Sequence, residues 1–361
     1  MTNMETRPLR QGLAPLLAIA AATALAAAPQ DRAAPATPVP AVDAILAAFE
    51  SHTIVALPDA HGSDRLHTFL LTLIRDPRFV RTVDDVMVEF GNARYQEIAD
   101  RFVRGDDVSE AMLRLVWRNS TQPSLSADFE HYPAVLAAVR EVNARASAGR
   151  RLRILLGDPP IKWDALLTRE DHARWITMRE AHPAALLQTE VVAKGRRALV
   201  VYGTGHLQRR QVAANFAMEN WRAQTIVSLV ERAGPTKVFT IANAPATRAA
   251  GWTPPAVAPL RGTALGALDA AEIFGAPRRF AVRDDAVVPI DRQEWRTLRA
   301  DEQFDAVLYL GPSDGPSRDP VSKTLCTERG YVEMRLKRIA LAGLPPPETD
   351  RVRRLCASSP P

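Results

Sequence analysis

The stretch Ala198–Arg209 reads Ala-Leu-Val-Val-Tyr-Gly-Thr-Gly-His-Leu-Gln-Arg, and it decides the fold class. Its first five residues are apolar or aromatic and include two valines, which is typical of a strand buried on both faces in a parallel sheet covered by helices. Gly203 and Gly205 allow a sharp turn directly after this strand. His206 is therefore expected just beyond the carboxyl end of the strand, at the edge where open α/β sheets hold their ligands.

A βαβ unit precedes this strand in the chain. Residues 53–57 (Thr-Ile-Val-Ala-Leu) form the first predicted strand, which ends at Pro58-Asp59-Ala60-His61. Residues 66–74 have helical periodicity, and residues 86–90 (Val-Met-Val-Glu-Phe) form the second predicted strand. Because such a crossover makes its two strands parallel, His61 and Glu89 are expected at the same edge of the sheet.

Glu89 is unusual for its position, because its neighbours in the strand are apolar. A carboxylate there is either exposed at the end of the strand or paired, since burying it alone costs several kcal/mol. The sequence alone does not decide between an exposed and a paired carboxylate.

The remaining pattern predicts an α/β fold with a mainly parallel central sheet and helices on both faces. Residues 152–157, 236–241 and 305–310 are further predicted strands, and Asp158 directly follows the first of these. Helices are expected at residues 95–104, 133–145, 164–181, 183–194, 208–218 and 331–341. The polar stretch 117–123 is interpreted as a plain connector rather than a loop over the sheet edge.

The composition fits a single large domain over residues 43–361. The chain has 361 residues, of which 47% are hydrophobic and 24% charged, as in ordinary globular proteins. Residues 243–300 have no clear periodicity apart from one hairpin around residues 284–285, and they are interpreted as an insertion that forms an irregular C-terminal cover. The tail after Gly343 is expected to fray.

The charge disfavours a nucleic-acid partner. The formal net charge of +5 comes from arginines scattered along the chain, and only 6% of residues are aromatic. A dedicated nucleic-acid surface clusters its cations and interleaves stacking rings with them.

The N-terminus predicts export to the periplasm or the exterior. Arg7 and Arg10 precede an apolar stretch over residues 13–28, and small residues near position 26 suit a signal peptidase, so residues 1–26 are interpreted as a signal peptide. An uncleaved anchor is the alternative. No lipid anchor is indicated, so no stable membrane anchor is expected after cleavage. A linker rich in proline and alanine is expected over residues 27–42.

Cys326 and Cys356 are the only cysteines, and both lie near the C-terminus. Neither has a neighbouring residue at metal-ligand spacing, so a structural disulfide is favoured over catalysis in an oxidising compartment.

Four strand ends thus carry His61, Glu89, Asp158 and His206. Two imidazoles and one or two carboxylates suit a divalent transition metal, or they activate a water molecule directly. His67 is a further candidate member of the site, or a histidine on the helix surface.

The chain resembles the superfamily that joins erythromycin esterases, haem-binding ChaN lipoproteins and Tiki metalloproteases. The resemblance rests on a Gly-x-x-His pattern that occurs twice, with a glutamate at the end of the strand between the two copies. The second copy is Gly203-Thr204-Gly205-His206, and the glutamate is Glu89. The first copy departs from the pattern, because Pro58 replaces its glycine and Asp59 stands where glutamate is common.

This resemblance implies a hydrolase that acts on an ester or amide of a small-molecule or peptide substrate. His61 would be the general base, Glu89 would orient water or share its proton, and His206 would be the acid or oxyanion stabiliser. With a metal bound, the same three residues would be its ligands. Arg94 either binds a substrate carboxylate or forms a surface salt bridge. The alternative function that the resemblance implies is haem binding or iron uptake without catalysis.

Overall fold

The structure is a computed structural model. The predicted signal peptide lies outside the described residues, as do residues 210–218 of the predicted helix 208–218. The described residues are 33–209, 224–270, 273, 280–283, 286–289, 299–312 and 321–357.

An eight-stranded sheet forms the centre of the protein, in the order β1-β7-β10-β6-β2-β5-β3-β4. A separate antiparallel hairpin, β8–β9, agrees with the hairpin expected around residues 284–285. The strands are β1 (Val39–Pro40), β2 (Ile54–Asp59), β3 (Asp85–Asn92), β4 (Arg153–Asp158), β5 (Ala198–Gly203), β6 (Val238–Asn243), β7 (Ala256–Pro259), β8 (Phe280–Arg283), β9 (Ala286–Pro289) and β10 (Ala306–Tyr309).

The sheet is mixed. The strands from β10 to β4 pair in parallel, and β7 pairs antiparallel with both β10 and β1. All six strands predicted in the parallel part are present, within two residues of their expected bounds. The parallel arrangement brings the ends of β2, β3, β4 and β5 to one edge.

Helices cover both faces of the sheet. Alternate residues of β2 show the division: Val55 and Leu57 belong to one apolar core, and Ile54 and Ala56 belong to the other. This alternation follows from the two-residue period of a strand. The helices are α1 (Ala41–Ala48), α2 (Asp64–Arg75), α3 (Phe79–Thr82), α4 (Gln96–Arg104), α5 (Glu110–Arg118), α6 (Tyr132–Arg145), α7 (Arg169–Thr177), α8 (Ala181–Leu186), α9 (Ile226–Ala233), α10 (Ala300–Gln303), α11 (Tyr331–Ala342) and α12 (Pro346–Cys356).

No helix among these described residues is long and apolar enough to cross a membrane.

Two expectations about the chain outside the parallel sheet were incomplete. Strand β1 and the start of α1 lie within the expected linker, and β7 lies within the expected insertion. Both strands are short and contain proline, so periodicity alone did not indicate them. They extend the sheet beyond β10.

The C-terminal tail was also expected to fray, but helix α12 occupies it. A disulfide joins Cys326 to Cys356 at the end of this helix. In the neighbouring helix α11, Arg335 is fully buried, and its Nε donates a hydrogen bond of 2.8 Å to Asp128 Oδ2. The disulfide thus fixes the tail to the segment before α11, and α11 is in turn bonded to the loop that follows α5.

Candidate active site

Two histidines and a glutamate meet at the carboxyl edge of the parallel strands, as the sequence predicts. His61 Nε2 lies 3.6 Å from Glu89 Oε1, and His206 Nε2 lies 3.5 Å from the same oxygen. His61 follows β2 and His206 follows β5, two strands that are hydrogen-bonded neighbours. The residues are far apart in the chain, and the sheet brings them together.

The other ring nitrogen of each imidazole, Nδ1, contacts a second carboxylate. His61 Nδ1 lies 2.9 Å from Asp59 Oδ2, and His206 Nδ1 forms a close hydrogen bond with Glu180 Oε1. The second oxygen of Glu180 accepts a 3.0 Å hydrogen bond from the backbone N–H of Ile226. Because each Nδ1 is engaged, both rings are oriented with Nε2 towards Glu89.

Glu89 is buried and paired, which decides between the two alternatives left open by the sequence. Its Oε1 accepts a hydrogen bond from Arg179 Nη2, and its Oε2 accepts a 2.7 Å hydrogen bond from the backbone N–H of Gly203. The pairing between β3 and β4 shifts its register between Val88 and Asn92, so a bulge surrounds Glu89. Bulges of this kind redirect a side chain near a strand end.

Opposite charges within the site shift the pKa of each of the three central residues. Burial alone would raise the pKa of Glu89, but His206, His61 and Arg179 outweigh it and hold that pKa well below its ordinary value. Burial alone would lower the pKa of His61, but Asp59 and Glu89 outweigh it and raise that pKa to about 10. The pKa of His206 is also raised, since Glu180 and Glu89 outweigh the effect of burial.

Gly203 leaves the space in which the three groups meet. A Cβ at this position would lie 3.3 Å from Glu89 Oε2, 3.5 Å from His206 Cδ2 and 3.7 Å from His61 Nε2. The first of these contacts is tighter than ordinary van der Waals contact. Gly203 is therefore needed for a close approach rather than for its backbone angles.

His67 and Asp158, two of the other candidate residues, lie near the site but do not contact the three central residues in the same way. His67 is buried rather than on the helix surface; its Nε2 lies 3.9 Å from Asp59 Oδ1, and its ring stacks on His131. Burial lowers the pKa of His67 to about 4. Asp158 lies at the same edge, 4.0 Å from Arg179 Nε.

Asp158 is held by the loop that follows α5. It accepts a 2.6 Å hydrogen bond from the backbone N–H of Thr121. Its pKa is raised to about 7 by burial, against the opposing effects of Arg179 and Thr121. The stretch 117–123 was interpreted as a plain connector, but it contacts the strand end and covers the site.

Arg94 is exposed, and its backbone N–H donates a 2.8 Å hydrogen bond to Asn92 Oδ1. No ion pair of its side chain is present among the described residues. The structure does not bring it to the imidazoles.

Pro58, which departs from the resembled motif, lies inside β2 and pairs in register with Tyr202 of β5. The pairing of β2 with β6 runs only from Ile54 to Ala56 and ends before Pro58. A missing N–H is tolerated near the end of a strand, so proline does not prevent His61 from reaching the site.

A small cavity adjoins the site on the side of His61, whose side chain is 38% exposed. It has room for about one water molecule. Its lining residues are His61, Glu89, Phe90, Ser120, Gln122, Ser126 and Tyr132.

Comparison with known proteins names no family. No family model matches the sequence, and no curated protein matches it. The type III effector HopBA1 is structurally similar at a TM-score of 0.34 and 14% identity, over 59% of this chain and 87% of that chain. A protein from Bacillus cereus is similar at a TM-score of 0.43 and 10% identity, over 76% and 94% of the two chains. At such low similarity, the chemistry of the site has to be inferred from its own residues.

The donor set fits a divalent metal poorly. Asp59, His61 and Glu89 offer ligand atoms that lie within 4.8 Å of one another. However, Glu89 Oε1 already holds the guanidinium of Arg179, and Asp59 offers only Oδ1, since its Oδ2 is engaged by His61. A divalent cation at Glu89 Oε1 would be repelled by Arg179, so proton transfer suits these residues better than metal ligation.

Arg179 and Glu180 were not indicated by the sequence, because they lie inside the helix expected over residues 164–181. In the structure, α7 ends at Thr177 and α8 begins at Ala181, so both residues lie at a break between helices. Pro183 is the signal that would have indicated this break, since proline is tolerated in the first turn of a helix, where it lies in α8, but not in a helix interior.

Proposed function

We propose that this protein is an exported hydrolase in which His61, Glu89 and His206 promote the attack of water on an ester or amide. The observation that carries the proposal is that both imidazole Nε2 atoms face Glu89 Oε1, at 3.6 and 3.5 Å, while each Nδ1 is held by its own carboxylate. A histidine oriented by a carboxylate is the usual arrangement for general acid–base catalysis.

His61 is the general base of this mechanism. It is the more exposed of the two histidines and it lines the cavity, so it can exchange a proton with water. In its neutral form, Nε2 takes a proton from water while the hydroxide adds to the substrate carbonyl carbon. The same proton then passes from Nε2 to the leaving oxygen or nitrogen. Because the pKa of His61 is raised to about 10, the neutral form grows as the pH rises.

His206 is the oxyanion stabiliser. Glu180 and Glu89 raise its pKa and so favour the protonated ring, and its Nε2 faces Glu89 Oε1 at the centre of the site. A fixed positive donor of this kind stabilises the negative charge that develops on a carbonyl oxygen. Glu89 balances this charge, and Arg179 and the backbone N–H of Gly203 hold it in place.

Export is supported by the disulfide between Cys326 and Cys356, because structural disulfides persist in oxidising compartments. Haem binding has less support than hydrolysis. Among the described residues, the cavity at His61 is far smaller than the several hundred Å³ of typical cofactor sites.

The test is a panel of p-nitrophenyl esters and anilides, assayed with the mature protein before and after dialysis against a chelator. We expect His61→Gln and His206→Gln to lower kcat by about a hundredfold or more, because general acid–base groups contribute at least that much. The chelator should leave the rate unchanged.

Arg94→Met is the matched control, since Arg94 is exposed and follows the same strand as Glu89. It should keep the rate of the wild type. Full activity of His61→Gln, or a wild type that hydrolyses no member of the panel, would refute the proposed function. A Soret band on mixing with haemin would favour the alternative.

A further inference from the structure

The hydroxyl of Ser120 is buried in the wall of the cavity. Ser120 is 1% exposed and lines the cavity together with His61 and Glu89. Its Oγ has no hydrogen-bond partner among the described residues. A buried hydroxyl without a partner is unfavourable unless a water or a ligand reaches it.

Most other polar groups of the cavity are already engaged. Tyr132 donates its hydroxyl to the carbonyl oxygen of Ser126 at 2.8 Å, and Ser126 Oγ lies 3.2 Å from Ser124 Oγ. Both oxygens of Glu89 accept hydrogen bonds from Arg179 and Gly203. Ser120 Oγ and His61 Nε2 are therefore well placed to bind a molecule in the cavity, alongside the side chain of Gln122, which also lines it.

The backbone around Ser120 is held firmly. Its carbonyl oxygen accepts a 2.9 Å hydrogen bond from Trp163 Nε1, and the next residue, Thr121, is bonded to Asp158. On the other side, Asn119 Oδ1 accepts a 2.6 Å hydrogen bond from Arg338 Nη2. The hydroxyl is thus presented from a fixed position, as a preorganised site requires.

We propose that Ser120 is a positioning residue whose hydroxyl holds the attacking water beside His61 Nε2. The inference rests on the proposed function, which supplies the reaction. The cavity has room for about one water molecule, and the rings of Phe90 and Tyr132 restrict where that water can lie. One hydrogen of the water points to His61 Nε2, Ser120 Oγ donates to the water oxygen, and the remaining lone pair faces the substrate carbonyl carbon.

The first experiment is independent of turnover. High-resolution crystal structures of the wild type and of Ser120→Ala should show an ordered water within hydrogen-bond distance of Ser120 Oγ in the wild type, and no water there in the variant. A wild-type structure without that water, or with Ser120 Oγ bonded to a protein group, would overturn the inference.

The second experiment uses p-nitrophenyl acetate as the probe substrate. Ser120→Ala should lower kcat about five- to tenfold and leave KM unchanged, because one hydrogen bond to the nucleophile is lost while substrate binding is kept. Ser124→Ala is the control, because it removes a hydroxyl of the same loop that does not line the cavity. It should keep kcat within about twofold, because the hydroxyl of Ser124 contacts Ser126 Oγ and not the proposed water.

The two proposals fail in different ways. A wild type that hydrolyses nothing refutes the proposed function, and the crystal structures still decide whether Ser120 binds water. An active wild type whose Ser120→Ala variant keeps its kcat overturns the inference alone. So does an acyl group found on Ser120 by intact-protein mass spectrometry, because Ser120 would then be the nucleophile itself.

Discussion

The charge of Asp59 sets the proton affinity of His61, and Asp59→Asn tests this directly. The substituted amide would keep an oxygen that accepts the hydrogen bond from His61 Nδ1, now 2.9 Å from Asp59 Oδ2, and the negative charge would be lost. Two unit charges 4 Å apart interact by about 1 kcal/mol in water and about 4 kcal/mol near a protein surface. Because the side chain of His61 is 38% exposed, the lower half of this range applies.

About 1 to 2.5 kcal/mol corresponds to a fall of roughly one to two pH units in the midpoint of His61 titration. The wild-type midpoint is expected at about 10. The measurement is the ¹³C–¹H NMR signal of the His61 ring between pH 5 and pH 11. The rising limb of the pH–rate profile with p-nitrophenyl acetate should move to lower pH with it, since neutral His61 is the base.

Asp64→Asn is the matched control. Asp64 is an exposed carboxylate near His61 in sequence, and its Oδ1 lies 3.3 Å from His131 Nε2. Its loss should leave the His61 midpoint where it was. An unchanged or higher midpoint in Asp59→Asn would refute the electrostatic account of the site. A rate that falls rather than rises as His61 loses its proton would make His61 an acid and not the base.

Three further predictions concern the support of the site. Gly203→Ala should lower kcat tenfold to a hundredfold with little change in Tm, because its Cβ would lie 3.3 Å from Glu89 Oε2. Arg335→Met should cost about 3 kcal/mol of unfolding free energy in urea, because the buried carboxylate of Asp128 loses its fully buried cation and keeps only Arg118 and the Tyr331 hydroxyl. The exposed Arg353→Met should cost less than about 0.5 kcal/mol. For His67, folding lowers the pKa from 6.5 to about 4. The unfolded chain therefore binds the proton at a higher pH than the folded chain does, and stability is lost as the pH falls from 6.5 to about 4. His67→Phe should remove most of that loss, roughly 3 kcal/mol, in unfolding curves at pH 7 and pH 4; an equally steep loss in the variant would contradict this assignment.

The sequence by itself determined the parallel part of the sheet and the residues at its edge. Runs of apolar residues such as those before Gly203 are local signals, and the crossover rule fixes the direction of the strands that they form. His61, Glu89 and His206 follow from that direction alone. The cysteine pair was likewise predictable, because only two cysteines are available.

Only the tertiary structure decided how the three residues are held. Arg179 and Glu180 come from a break between two helices, and their role depends on where that break packs against the sheet. Strand β7 and helix α12 were also missed, since a short or proline-containing element is stabilised by long-range contacts rather than by its own periodicity.

Whether a charged side chain is exposed or paired is likewise a property of its neighbours in space. The sequence left Glu89 with both alternatives, and the structure surrounds it with His61, His206 and Arg179. The reason is physical: the direction of a strand is fixed by local pattern and chain connection, whereas the pKa and the pairing of a buried group depend on charges that are distant in the chain.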